Sequence, residues 1–327
     1  MGRFSILGAA ILVVLSMVTP AGAQIYDLRE LNNLQIDALP RDRTVVLMPG
    51  GILEQHGPYL PSYTDGYVNE YVARQIAHAI IARPGWVVLM FPPIPLGAGG
   101  VHLRPNLMWP GTIHVHFEAL RAVYMDLASE LGEKGFRWVF VIQDHGGGGH
   151  NRALDQASDF FTDTYQGRMV HLGGLVLPPS PLTPPLLPPE GQNENGLDVH
   201  GGMSETSRIL FLRPDLVGAG RERAAPFSGG TWEELVKVGS PSSWLGYFGS
   251  PRLASAALGA EILRRRVEAY TALVLRILDG FDPRSLPREV DRQDADTGRV
   301  RYNAIIEEHE QRIRVVQQDW LSSKGLR

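Results

Sequence analysis

The stretch "RTVVLMPGGILEQHGPYLPSYTD", residues 43–65, sets the terms on which the rest of the chain is read. Its first seven residues form a compact run rich in β-branched and apolar side chains, the composition of a strand buried on both faces. The residues after that run suit neither helix nor strand: glycines and prolines surround Glu54, His56 and Asp65 within a dozen positions. Three readings compete for that crowding, namely a decorated surface turn, a general acid/base pair, or half of a metal site. In an extended backbone Glu54 and His56, at i and i+2, face the same way, so one short segment can offer two ligands to one cavity.

Working outward, the strand pattern recurs at "WVVLMFPPIPL" (86–96), "RWVFVIQ" (137–143) and "RMVHLGGLVL" (168–177). Apolar residues at helical spacing fill the intervals at 67–82, 116–135, 151–165 and 207–217, and a long helical pattern at 253–281 closes the series. Strands alternating with helices predict an α/β fold, a three-layer α/β/α arrangement around a mostly parallel central sheet. In such sheets ligands gather at the carboxyl ends of the strands. The polar clusters obey this: Glu54, His56 and Asp65 follow the first strand, "DHGGGGHN" (144–151) follows the third, and "DVHGGMSETS" (198–207) follows the fourth and a proline-rich loop, 177–196. That loop is too rich in proline for helix or central strand and is expected to be extended, as a rim over the site or a subunit contact through Leu182, Leu186 and Leu187.

Residues 1–23 carry Arg3, an apolar core and a small-residue Ala21-Gly22-Ala23 pattern, which read as a cleaved signal peptide with maturation before Gln24. The apolar core falls short of the roughly 20 residues a membrane-spanning helix needs, so no stable membrane anchor is expected after cleavage and the product is expected to be exported, periplasmic or extracellular. Residues 24–281 are expected to form the catalytic domain, and 282–327 a charged helical extension whose part near 302–321 is amphipathic. With no cysteine in 327 residues, any metal must be held by His, Asp and Glu, and a lipid-modified cysteine is not available. A formal net charge of -4 gives no basic footprint for nucleic acid. No Gly-x-Ser-x-Gly elbow is present, which disfavours a serine hydrolase. The glycine run at 146–149 lacks the Lys and Ser/Thr of a phosphate loop, and close backbone approach is its simpler role.

The motifs, in order and spacing from about residue 44 to 275, resemble the creatininase (creatinine amidohydrolase) family. "LMPGGILEQHGPYLPSYTD" resembles its Glu-x-His segment ending in Asp, "WPGT" (109–112) its Phe-Pro-Gly-Thr segment, "HGGMSETSRILFLRPDLV" (200–217) its His-Ala-Gly-x-x-Glu-Thr-Ser stretch, and "GSPRLASAALG" (249–259) its Gly-x-Pro stretch. The resemblance implies a metal-dependent amidohydrolase that cleaves a non-peptide C–N bond of a cyclic or linear amide through a hydroxide bridging two divalent ions, Zn²⁺ and/or Mn²⁺. It implies Glu54, His56, Asp65, His145 and Glu205 as metal ligands, Asp65 as the bridge, and His200 as the proton donor to the leaving nitrogen. A small-molecule amide substrate and a homo-oligomer, a hexamer in the family, are further implications. The family pattern has a glutamate two residues after the motif histidine where this chain has Gly147, which shifts the last carboxylate to Glu205. His150 rivals His145 for the imidazole position. A metallopeptidase acting on short peptides, or a family member that binds metal or ligand without turnover, remain the alternatives. His114 and His116, at a helix entrance, are expected to be exposed.

Overall fold

The computed structural model describes residues 24–101, 103, 110–177 and 187–326. Residues 1–23, read above as a signal peptide, His102, Trp109 and residues 178–186 of the proline-rich loop, including Leu182 and Leu186, lie outside the described residues. Five strands, β1 (Gln24–Asp27), β2 (Thr44–Pro49), β3 (Val87–Met90), β4 (Trp138–Ile142) and β5 (Arg168–His171), are joined by helices. In chain order these are α1 (Asn33–Asp37), α2 (Thr64–Ile81), α3 (Phe117–Glu133), α4 (Gly148–Thr164), α5 (Pro189–Asn195), α6 (Met203–Leu212), α7 (Trp232–Gly239), α8 (Ala256–Leu278), α9 (Glu289–Asp294) and α10 (Thr297–Ser323).

The strands form one sheet in the order β1-β3-β2-β4-β5, and every pairing is parallel. Alternation along β2 explains the layers. Val45 and Leu47 point into a cluster with Val72 and Ile76 of α2 and Leu273 and Ile277 of α8, while Val46 and Met48 point the other way, toward Leu120 and Tyr124 of α3 and Phe161 of α4. Helices thus cover both faces of a sheet whose central strand is fully buried, the three-layer α/β/α arrangement that the alternation of elements predicts. Truncating a residue such as Leu47 to alanine would cost about 2–5 kcal/mol.

Strand order also places the site. From β2 the chain crosses to β3 on one side, then returns past β2 to build β4 on the other, so the order reverses at the adjacent pair β2 and β4. A crevice opens at the carboxyl ends of strands where such a reversal occurs. The segments leaving β2 and β4 are those that carry Glu54, His56 and His145.

Boundaries differ from the sequence expectation for physical reasons. β3 stops at Met90 because Pro92, Pro93 and Pro95 cannot donate to a ladder. β5 stops at His171, where Leu172–Gly174 turn into a 3-10 helix. α2, α4 and α6 each begin three or four residues early, which puts Asp65 and Glu205 inside first helical turns. The proline-rich loop is not extended throughout: residues 189–195 are helical, with Pro189 in the first turn where its missing N–H costs nothing. A third apolar cluster joins Val101 and Leu103 of the loop after β3 to Leu235 of α7, Trp244, Phe248, and Tyr302 and Ile306 of α10. Among the described residues no helix is long and apolar enough to cross a membrane.

Candidate metal centre

Three chain segments converge above β2 and β4. The turn after β2 is pinned by Glu54 N–H donating to the Ser62 carbonyl at 2.9 Å, and it presents Glu54 and His56, each 1 % exposed. His56 Nδ1–H donates to the Glu54 carbonyl at 2.8 Å, which leaves the Nε2 lone pair free to face inward. That nitrogen is buried without a hydrogen-bond partner among the described residues. It points at carboxylates instead: Glu205 Oε2 lies at 3.4 Å, Asp65 Oδ1 at 3.7 Å and Glu54 Oε2 at 3.9 Å. On the other side His145 Nδ1 sits 3.0 Å from Asp65 Oδ2 and 3.4 Å from Glu54 Oε2, while its Nε2 faces the Gly99 carbonyl at 3.4 Å.

Two sets of three donors result, Glu54-Asp65-His145 and His56-Asp65-Glu205, each within the span of one ion. Asp65 belongs to both, and its two oxygens point to the two different histidines. Donors about 2.1 Å from a tetrahedral ion are about 3.4 Å apart, which is the spacing seen here. A third set, Glu54-His56-His200, is also compact; its Glu54 reaches His145 too, but it faces His56 and His145 through the one oxygen Oε2, whereas Asp65 offers each a separate oxygen. Nitrogen and oxygen donors without sulfur suit Zn²⁺ or Mn²⁺. A buried imidazole nitrogen with no hydrogen-bond partner among the described residues, ringed by carboxylates, is what a cation would satisfy, so the residues present fit a divalent metal.

Electrostatics point the same way. Burial pushes the Glu54 carboxyl above its usual range. Burial also opposes charge on His56 and His145, yet the carboxylates around them outweigh it, Glu205 foremost for His56 and Glu54 for His145, and push the two imidazoles up to about 10 and about 9. Asp65 is held well below the carboxylate range because the hydrogen bond from His145 and the positive charge of the two neighbouring imidazoles overcome its desolvation. Buried carboxylates that demand protonated histidines are carboxylates short of positive charge.

The rivalry between the two histidines of "DHGGGGHN" has a geometric outcome. His150 is fully buried and spends both nitrogens on backbone: Nε2–H donates to the Gln143 carbonyl at 3.1 Å, and Nδ1 accepts from Ala98 N–H at 3.4 Å. Only His145 reaches the cluster. Asp144 is drawn aside by Tyr270 Oη at 2.8 Å and the Arg266 guanidinium at 2.8 Å. The glycines do serve close approach. A Cβ on Gly147 would lie 2.9 Å from the Ala98 carbonyl and 3.0 Å from that of Gly99, and one on Gly99, whose φ is +76°, would lie 3.0 Å from the Gly147 Cα. A glutamate at 147 would not fit there, whereas Glu205 reaches the same cluster from the first turn of α6. Its Oε2 accepts from Gly201 N–H at 2.6 Å and its Oε1 from Arg208 at 3.3 Å.

His200 lies beside the cluster, its ring 4.4 Å from that of His56 and its Nδ1 3.6 Å from Glu54 Oε2. Gln55 Nε2 lies 3.2 Å from its Nε2. Burial, then the charge of His56, keeps it well below the ordinary imidazole range and hence neutral. Sequence reasoning did not foresee the backbone contacts that orient these groups. The Gly97–Val101 loop supplies Val101 N–H to Glu54 Oε1 at 2.6 Å and the Gly99 carbonyl to His145; its only visible signal was glycine density next to a strand end. His114 and His116 are not exposed as expected. His116 caps α3, and the His114 side chain, 4 % exposed, accepts from Gly100 N–H at 3.2 Å. A cavity of about 280 Å³ opens onto the cluster, walled also by Arg208, Arg299, Tyr302 and Ile306.

Known proteins resemble this chain in sequence and in fold. The "Mycofactocin precursor peptide peptidase" of Mycobacterium ulcerans (strain Agy99) is 30 % identical over 271 residues, 78 % of this chain and 94 % of that protein. The "Creatinine amidohydrolase" of Pseudomonas putida is 28 % identical over 191 residues, 54 % of this chain and 67 % of that protein. A solved structure described as "Creatininase Mn" superposes with a TM-score of 0.57 at 20 % identity, over 77 % of this chain and 98 % of that one, and so shares the fold. The profile of the creatininase family, described as creatinine amidohydrolase, matches residues 29–274. With the doubly covered parallel sheet and a carboxylate-imidazole cluster at its strand reversal, that match over most of the chain makes this protein a member of the creatininase family.

Proposed function

We propose that this chain is a divalent-metal-dependent amidohydrolase that binds two ions and cleaves an amide C–N bond. The observation that carries this reading is Asp65, whose two carboxylate oxygens face two separate histidines, each with its own further carboxylate. Glu54, Asp65 and His145 would hold one ion, and His56, Asp65 and Glu205 the other. Bound there, such ions supply Lewis acidity and lower the pKa of coordinated water to roughly 7.

The chain's own residues do the rest. Val101 N–H fixes Glu54 Oε1, which leaves Oε2 aimed at the histidines, and Gly201 N–H and Arg208 hold the two oxygens of Glu205 so that Oε2 faces His56 before anything binds. His200, neutral and buried at the cavity wall, accepts a proton before it can give one. It therefore acts as a relay that takes a proton from the attacking water and passes it to the departing nitrogen. Val101, Tyr302 and Ile306 give the cavity an apolar side.

The bond cleaved is, in our reading, a non-peptide amide of a small molecule, in keeping with a cavity of about 280 Å³. A second reading, cleavage at one end of a short peptide, is favoured by the name of the relative that the chain covers almost completely. Residues 24–281 would form the catalytic unit of an exported homo-oligomer, with residues 1–23 as its cleaved signal. The test is hydrolysis of cyclic amides, formamides and short peptides by the purified protein before and after chelation. Turnover lost with chelator and restored by Mn²⁺ or Zn²⁺ supports the proposal, and turnover untouched by chelator overturns it. The substrate that responds chooses between the two bonds.

A further inference from the structure

Residues 297–323 lie beyond the family-matched region, yet α10 reaches the candidate metal centre from outside it. Glu310 is a buried carboxylate, 5 % exposed, on the inner face of that helix. Its Oε1 accepts from Gly99 N–H at 2.7 Å and its Oε2 from Phe117 N–H at 3.1 Å. The carbonyl of the same Gly99 is the group that His145 Nε2 faces at 3.4 Å. Immediately past His145, the Gly146 carbonyl accepts from Arg299 at the start of α10. The Arg299 guanidinium itself lies against an aromatic pair, 3.9 Å from the Trp232 ring and 5.1 Å from that of Tyr302.

We propose that α10 is a positioning element of the metal centre, in which Glu310 and Arg299 grip the two glycine segments flanking His145 and so fix the imidazole that serves one of the two ions. The proposal rests on the two-ion reading above. Two converging backbone N–H groups call for an acceptor with no donor of its own, which a carboxylate is and an amide is not. The glycines need the grip. Gly99 and Gly147 approach each other closely without side chains of their own, and the contacts of His150 with Ala98 N–H and of His145 with the Gly99 carbonyl are both long, at 3.4 Å. A histidine ligand whose second ring nitrogen loses its carbonyl partner loses tautomer and orientation, at a cost of about 10–100-fold in metal affinity. His56 takes its orientation from its own segment, through the Glu54 carbonyl, and serves as the internal control.

The experiment is a calorimetric Mn²⁺ titration of the full-length protein and of Glu310→Ala, Glu310→Gln, Arg299→Ala and Arg299→Lys, with thermal melting of each metal-free form. Wild-type protein is expected to take two ions. Glu310→Ala is expected to weaken one site by about 10–100-fold and leave the other at wild-type affinity. Glu310→Gln should fall short of full recovery, and Arg299→Lys, which can still donate to the Gly146 carbonyl, should recover more than Arg299→Ala. Two unchanged sites in Glu310→Ala, or both sites weakened in step with a lower melting temperature, would overturn the positioning role while leaving the metal reading in place. A wild-type chain that takes no ion would overturn both.

Discussion

Replacing Asp65 with asparagine keeps the shape of the side chain and removes its charge, and the structure says that the loss is felt twice. Oδ1 lies 3.7 Å from His56 Nε2 and Oδ2 3.0 Å from His145 Nδ1, so each of the two proposed ions would have this carboxylate as a neighbour. A unit-charge pair about 4 Å apart at an effective dielectric of about 20 is worth roughly 4 kcal/mol. Solvation recovered by the freed ion offsets part of that, and the asparagine carbonyl keeps a weak donor in place. An affinity loss of about 100- to 1,000-fold at each ion is therefore expected, since each 1.4 kcal/mol is tenfold. Glu205→Gln is the contrasting variant, because Glu205 stands beside His56 only, and it should cost one ion while sparing the other. Elemental analysis after gel filtration in metal-free buffer reads both. Wild-type protein should retain two ions, Glu205→Gln one, and Asp65→Asn none. If Asp65→Asn retains one ion with wild-type affinity, Asp65 is not shared and the two-ion arrangement is wrong.

Further consequences concern the other histidines. His145→Ala should remove one ion with little change in the stability of the metal-free chain. His150→Ala should do the reverse, since it strands the Gln143 carbonyl and Ala98 N–H in the interior at about 1–3 kcal/mol each, lowering the melting temperature while the ion count holds. Acid should destabilise the fold through His114, whose pKa burial and then the neighbouring His309 lower to about 4 from 6.5. The unfolded chain takes up this proton near pH 6.5 and the folded chain only near 4. Stability from this group is thus complete above pH 6.5 and lost as pH falls toward 4, by at most about 3 kcal/mol. Denaturant melts of wild type and His114→Gln from pH 7 to 4 should show a steeper loss in the wild type, and parallel curves would rule the explanation out.

The sheet was legible because a strand buried on both faces must be apolar throughout, and β2 and β4 are. The edge strand β1, half exposed, carries no such run, and the reach of the β3 pattern was overstated because prolines that end a ladder are apolar too. The clustering of the candidate ligands was legible where they are close in sequence, as Glu54, His56 and Asp65 are, and where a strand end points them inward. Local chemistry could not rank His145 over His150, five residues apart. Their difference is which nitrogen meets backbone, a fact of tertiary packing. Nor could it reveal Glu310, whose partner Gly99 is 211 positions away and whose own helix reads as an ordinary amphipathic surface. The expected exposure of His114 failed for the same reason, because α10 covers it.

The account stands on two ions sharing one carboxylate. Anomalous diffraction from crystals grown with Mn²⁺ tests this most directly. Two peaks about 3.5–4 Å apart, one beside His145 and Glu54, the other beside His56 and Glu205, and both in reach of Asp65, are the expected result; a single peak, or peaks that do not touch Asp65, would contradict it.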